Sequence, residues 1–243
     1  MRYLIDFSYS GELFNGYQRQ KGLRTVQGEI EKVLTSFNNN SIVTIYSSGR
    51  TDAKVNATHQ VAHFDLNVKI TPYKLKFALN RYLPDDIYIN DVKEVLDSFH
   101  ARYNVKSKIY EYKINMGTYN PIKRNYIYQY CKKLNVDKIK EALNYFVGTH
   151  DFTTFTCAED KRDDKIRTIL AVDIKVEEDI LIISFEGTGF LKYQIRNMIG
   201  LLIKIGEDKL NAEEIPYLFE KKDRRKIGLT APACGLTLVK VNY

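Results

Sequence analysis

Polar and apolar residues alternate from Arg2 to Tyr9, and the rhythm lengthens to that of an amphipathic helix from Thr25 to Phe37. Strands are predicted again at Ile42 to Tyr46, Thr58 to Leu66 and Ile87 to Val95, with a helix from Pro72 to Arg81. Pro72 suits a first helical turn, and Leu83-Pro84-Asp85-Asp86 is a stop signal. The second half predicts strands at Ile109 to Met116, Tyr126 to Lys132, Thr168 to Val176, Leu181 to Glu186 and Gly235 to Val241. Its helices are expected at Val136 to Val147, Phe190 to Ile205 and Ala212 to Phe219. Hairpin-like strand pairs mix with helices in both halves, which implies an α+β class built on a mainly antiparallel sheet. A polar stretch over residues 96 to 106 predicts a boundary between domains 1–100 and 101–243.

Composition narrows this picture. The 243 residues are 44% hydrophobic, enough for a substantial core. Basic residues outnumber acidic ones by 37 to 30, giving +7, which favours a polyanionic partner. The 18 Tyr and 12 Phe, with no Trp, suit core packing and base stacking equally. Cys131, Cys157 and Cys234 are odd in number and widely spaced, which argues against a disulfide framework or a zinc site and for a reducing interior. The N-terminus enters a strand pattern directly and no apolar run approaches a membrane span, so a cytoplasmic, membrane-free protein is expected.

One connection stands out. Between the strand-like runs ending at Tyr46 and starting at Thr58 lie Gly49, Arg50, Thr51 and Asp52. Loops held by a rigid sheet are common sites of chemistry. Gly49 leaves room to turn, Arg50 is a permanent cation, and Asp52 is a carboxylate two residues on. Taken alone, the triad fits a loop-capping Asx turn better than a reactive site. On the helix expected from Phe190, Leu191, Ile195, Met198, Ile199 and Leu202 form an apolar stripe, with Lys192 and Arg196 on a ridge beside it. That pattern points Arg196 away from the core and equally describes a surface arginine. Tyr110 and Tyr112 share a strand face with Ile114 and Met116, which reads first as core packing. The segment Ala158 to Arg167 is dense in charge and reads as a solvated loop. The four histidines show no metal spacing, since His59 and His63 fall on a strand about 13 Å apart.

The loop GRTDAKVNATHQVAHF is similar to the catalytic segment GRTDxGVHAxxQVxHF of the TruA family of tRNA pseudouridine synthases. FNGYQRQ and TVQGEIEKVL resemble that family's FxGWQxQ and TVQxxLExAL, and SFHARYNVKSKIYEYKI resembles its FHARxxAxxxxYxYxI. GTHDFTTF, GFLKYQIRNMIGLLIKIG and TAPACGLTLVKVNY are similar to further family blocks in the same order. Lys54 stands where the family has Gly and Asn56 where it has His. Lys in place of Gly is expected to remove any use of positive φ there and to add a cation. Tyr17 replaces the family's Trp and is expected to keep a flat aromatic surface.

The resemblance implies two α/β halves sharing a mainly antiparallel sheet, with helices packed on one side, an RNA cleft on the other, and a homodimer. It implies isomerisation of uridine to pseudouridine in the anticodon stem-loop of tRNA, at positions thirty-eight to forty, without cofactor or metal. Breaking the N1–C1′ bond puts positive charge on the sugar, a demand that carboxylates meet in glycosidases. An ionised Asp52 either attacks C1′ or stabilises that charge and helps remove a sugar proton. By resemblance Arg196 pairs with Asp52, Tyr110 stacks on the target uracil, and Arg50 supports the everted base. Arg19, Lys54, Arg102 and Lys192 are candidate phosphate contacts, each of which reads as well as a solvated charge. The changes at Lys54 and Asn56 leave open the same chemistry on another RNA such as ribosomal RNA, and the basic charge and aromatic surface are compatible with a non-catalytic RNA-binding module.

Overall fold

The structure, a computed structural model, describes residues 1–157 and 159–243. Ala158, the first residue of the charge-dense segment, lies outside the described residues. The class is α+β, with five α-helices among the described residues. Two compact units form, Met1–Lys106 with Thr237–Tyr243, and Ser107–Leu236.

In the first unit, β1 (Arg2–Tyr9) lies between β4 (Ile87–Glu94) and β3 (Asn56–Asp65), antiparallel to both. Alternation does what the pattern predicts: Tyr3, Ile5, Phe7 and Tyr9 are buried while the residues between them are not. Helix α1 (Val26–Phe37) starts at Thr25, whose hydroxyl accepts from the Gly28 amide, and buries Val26, Ile30 and Leu34. Helix α2 (Pro72–Tyr82) has proline in its first turn and buries Leu75 and Leu79. The last strand, β10 (Leu236–Asn242), runs parallel to the start of β3, Thr237 beside Asn56 and Leu238 beside Ala57.

The strand expected at Ile42 to Tyr46 is a correction: only β2 (Tyr46–Ser47) pairs, with His63 and Ala62. The cause is local competition. The Val43 amide donates to the Thr35 hydroxyl and the Ile45 amide to a Glu31 carboxylate oxygen, so α1 side chains take the donors a ladder would use.

The second unit is an antiparallel ribbon of β5 (Ser107–Asn115), β9 (Ile180–Gly187), β8 (Ile166–Glu177) and β7 (Gly148–Asp151). The strand predicted at Tyr126 to Lys132 shrinks to β6 (Tyr128–Gln129), parallel to β5. Cys131 there has φ +59, which ends extended backbone. Helix α3 (Val136–Leu143) ends in a 3-10 turn, Asn144–Phe146, short of Val147. Helix α4 (Gln194–Gly206) is nearly all buried, and α5 (Glu214–Lys221) buries Ile215 and Leu218. Helix α4 begins four residues after the expected Phe190, because Tyr193 takes a left-handed conformation that a helix cannot pass through. Charges after Ala158 answer one another: Arg162 pairs with Asp160, and Arg167 with Asp164. No helix among the described residues is long and apolar enough to cross a membrane.

Candidate active site

The loop between β2 and β3 is fixed at both ends. At its entry the Ser48 hydroxyl donates to Gln60 Oε1 at 2.6 Å, and Gln60 Nε2 donates to the Gly49 carbonyl at 3.1 Å. The Thr51 hydroxyl meets the Tyr9 hydroxyl at 2.8 Å, and the Thr51 carbonyl accepts from the Tyr17 amide at 3.1 Å. Burial pushes the Tyr9 phenol up to about 12, so it remains a hydrogen-bonding hydroxyl. On the exit side the Val55 amide donates to the Asp52 carbonyl at 3.2 Å, and Asn56 Oδ1 accepts from the Gly11 amide at 2.8 Å. A Cβ at Gly11 would lie 2.2 Å from the Val55 carbonyl oxygen, so only glycine lets that strap press on the loop. Asp52 sits half-buried between these two anchors, with Arg50 and Lys54 exposed on the same loop. A carboxylate on so braced a backbone can meet a reacting atom without reorganisation.

Lys54 has φ +65, so the expected loss of positive φ at this position does not occur. The turn from Asp52 to Val55 demands that conformation, and lysine takes it in glycine's place. Asn56, the second departure, is buried and holds Gly11. Tyr17 offers no aromatic surface. Its ring is 2% exposed and packs on Phe7 and Tyr9, with the hydroxyl buried near Ser47 without a well-formed hydrogen bond.

The other basic candidates of this unit are placed differently. Arg19 donates to Glu31 at 2.8 Å, and Glu31 is buried and also holds Gln27 and the Ile45 amide. Arg19 therefore balances a buried charge and stays about half exposed. Arg102 is exposed in the turn after His100, where its amide donates to His100 Nδ1.

In the second unit Tyr110 is buried on β5 opposite Phe185, its ring edge-on to Phe190 at 5.3 Å. Arg196, third residue of α4, donates from Nε to the Ala231 carbonyl at 2.8 Å, and its own carbonyl accepts the Ala231 amide. Lys192 lies before the helix, so the predicted ridge shared with Arg196 is not helical; both cations instead stand 5.0 Å from the Tyr193 ring centroid. Sequence reasoning found no role for Asn197. It is fully buried, donating to the Phe155 carbonyl at 2.7 Å and accepting from Thr230 at 2.7 Å and Arg224 at 3.0 Å. It thus ties α4 to two loops. Tyr9 and Gln60 were missed as well: Tyr9 occupies an inward strand position that reads as core, and local pattern does not distinguish the buried Gln60 from a surface glutamine.

A model of the family described as tRNA pseudouridine synthase matches residues 7–104 and 142–243. The chain is 44% identical over 237 residues to "tRNA pseudouridine synthase A" of Geobacillus sp. (strain WCH70), covering 97% of this chain and 96% of that one. It is 43% identical over 246 residues to the protein of that name from Streptococcus pyogenes serotype M1, covering 100% and 99%. Among solved structures, a chain of a Cbf5-Nop10-Gar1 complex aligns over 83% of this chain and 45% of its own, at 14% identity and a TM-score of 0.38, too loose to carry an argument. These sequence matches define an isomerase. The chain belongs to the tRNA pseudouridine synthase family.

Proposed function

We propose that this isomerase converts uridine to pseudouridine in the anticodon stem-loop of tRNA, at positions thirty-eight to forty, with Asp52 acting at the ribose C1′. The N1–C1′ bond breaks, the uracil turns while bound, C5 bonds to C1′, the C5 proton leaves to a base, and N1 takes up a proton in its place, so the product has the same atoms as the substrate. No electrons are gained or lost. The observation that carries this reading is the bracing of the family's aspartate loop: Asp52 is half-buried between Thr51, held by Tyr9 and Tyr17, and Asn56, held to Gly11. Arg196 is the cation that keeps this carboxylate ionised as water leaves, and Tyr110 supplies the ring against the uracil. Arg50 supports the everted nucleotide, and Lys54, Arg102, Lys192 and Arg19 attract the phosphates. In this reading the first unit carries the catalytic loop and the second completes the site, in a cytoplasmic homodimer.

The test is release of tritium from C5-labelled uridine in transcribed tRNA. Asp52→Asn is expected to lower the rate at least about 1,000-fold, the scale of losing a covalent or electrostatic catalyst, with tRNA affinity within a few-fold. Retained turnover in that variant would falsify the assignment. Mapping pseudouridines in cells lacking the protein reads the target: loss in the anticodon stem-loop supports the proposal, and loss only in ribosomal RNA overturns it.

A further inference from the structure

Tyr193 immediately precedes α4 with φ +65 and ψ −1, a left-handed conformation that side chains other than glycine and asparagine seldom adopt. It does not cap the helix, since its side chain makes no capping hydrogen bond. The surroundings enforce the strain. The Lys192 carbonyl accepts from the Thr156 hydroxyl at 3.2 Å and the Cys157 amide at 3.1 Å. The buried Gln194 side chain accepts from the Leu191 amide at 2.8 Å, and the Tyr193 carbonyl accepts from the Asn197 amide at 2.9 Å. Strain held this firmly on both sides is characteristic of a residue whose placement serves function.

The left-handed turn places the Tyr193 ring 5.0 Å from the guanidinium carbon of Arg196, whose Nε already donates to the Ala231 carbonyl at 2.8 Å. A guanidinium whose carbon lies over an aromatic ring and whose Nε is tied to a carbonyl is restricted in orientation, and its Nη groups are the part these contacts leave to other partners. Lys192 Nζ stands at the same distance from the ring, adding positive potential beside Arg196.

We propose that Tyr193 is the positioning residue of Arg196: its ring, set by the strained turn, orients the guanidinium for the reaction. The inference rests on the role given to Arg196 above.

Tyr193→Gly removes the ring and relieves the backbone strain, so the variant should melt at or above the wild-type temperature. Its single-turnover rate of tritium release from C5-labelled tRNA should fall at least tenfold, with half-saturation by tRNA within twofold. Tyr193→Phe, which keeps the ring, should restore the rate to within about twofold. Arg196→Ala should be slow, and adding Tyr193→Gly to it should slow it no further. Wild-type turnover by Tyr193→Gly beside a crippled Arg196→Ala overturns this inference alone, as do losses that multiply in the double variant. Full activity of Arg196→Ala overturns the catalytic role of Arg196 itself. A Tyr193→Gly protein that melts well below wild type shows the turn to be purely structural and also overturns the proposal.

Discussion

Lys54 takes a backbone conformation that glycine adopts without cost, one residue beyond Ala53 and two beyond Asp52. The left-handed region costs a residue with a Cβ about 1–2 kcal/mol, partly offset because glycine loses more entropy on folding. Lys54→Gly is therefore expected to leave the urea midpoint unchanged or raise it by the equivalent of up to about 1 kcal/mol. The same variant should raise the KM for tRNA several-fold at low salt, because a cation beside the loop is gone. A clear drop in the midpoint would refute the strain argument. His63 makes a different prediction. It is buried, accepts the Ala101 amide on Nδ1, and lies under Tyr46 at 5.2 Å and beside His100 at 4.6 Å. Burial first, then the His100 and Arg2 charges, lower its pKa to about 4 from 6.5. The unfolded chain therefore binds the proton first as pH falls, and stability present above pH 6.5 is lost progressively down to about pH 4. His63→Gln should flatten the fall in melting temperature across that window, and an unchanged slope would assign the acid sensitivity elsewhere.

At the scale of elements, α4 and the segment after Gly228 are pressed together. A Cβ on Gly200 would stand 2.0 Å from the Leu229 carbonyl oxygen, and that segment also holds Ala231 against Arg196. Gly200→Ala must push the helix and this segment apart, at a cost of about 1–3 kcal/mol. The expected result is a lower melting temperature and at least a tenfold slower turnover, since the Ala231 carbonyl orients Arg196. Full activity would show that the segment is not needed to hold the arginine. Several elements were legible from period alone. β1 has the predicted ends, α1 lacks only its capping residue, and α2 gains one residue. The shortened β2 and β6 were not legible, because Glu31 and Thr35 side chains claim the amides before β2 and the positive φ of Cys131 ends β6.

For the whole molecule, the excess of 37 basic over 30 acidic residues predicts salt-dependent association with tRNA. Affinity should fall linearly on a logarithmic salt plot, and Arg102→Ala or Lys54→Gln should each reduce the slope by about one phosphate contact's worth. Slopes unchanged in both variants would remove those residues from the phosphate track. Light scattering should give twice the 28.3 kDa chain mass for the proposed homodimer, and a monomeric mass at micromolar concentration would reject it.

Sequence by itself determined which segments become strands and helices wherever a period of two or 3.6 ran uninterrupted, because those choices depend on neighbours a few residues away. It also carried the Arg50–Asp52 motif, whose spacing survives in a single chain. Tertiary structure decided what depended on distant partners. Val241 donates to His59 across 182 residues, and β10 joins the first unit by parallel pairing with β3. Asn197 became a buried hub, and Lys54 and Tyr193 were driven into left-handed turns. Local pattern is blind to most of these outcomes, since apart from the short turn at Lys54 they are held by hydrogen bonds and packing from residues far along the chain.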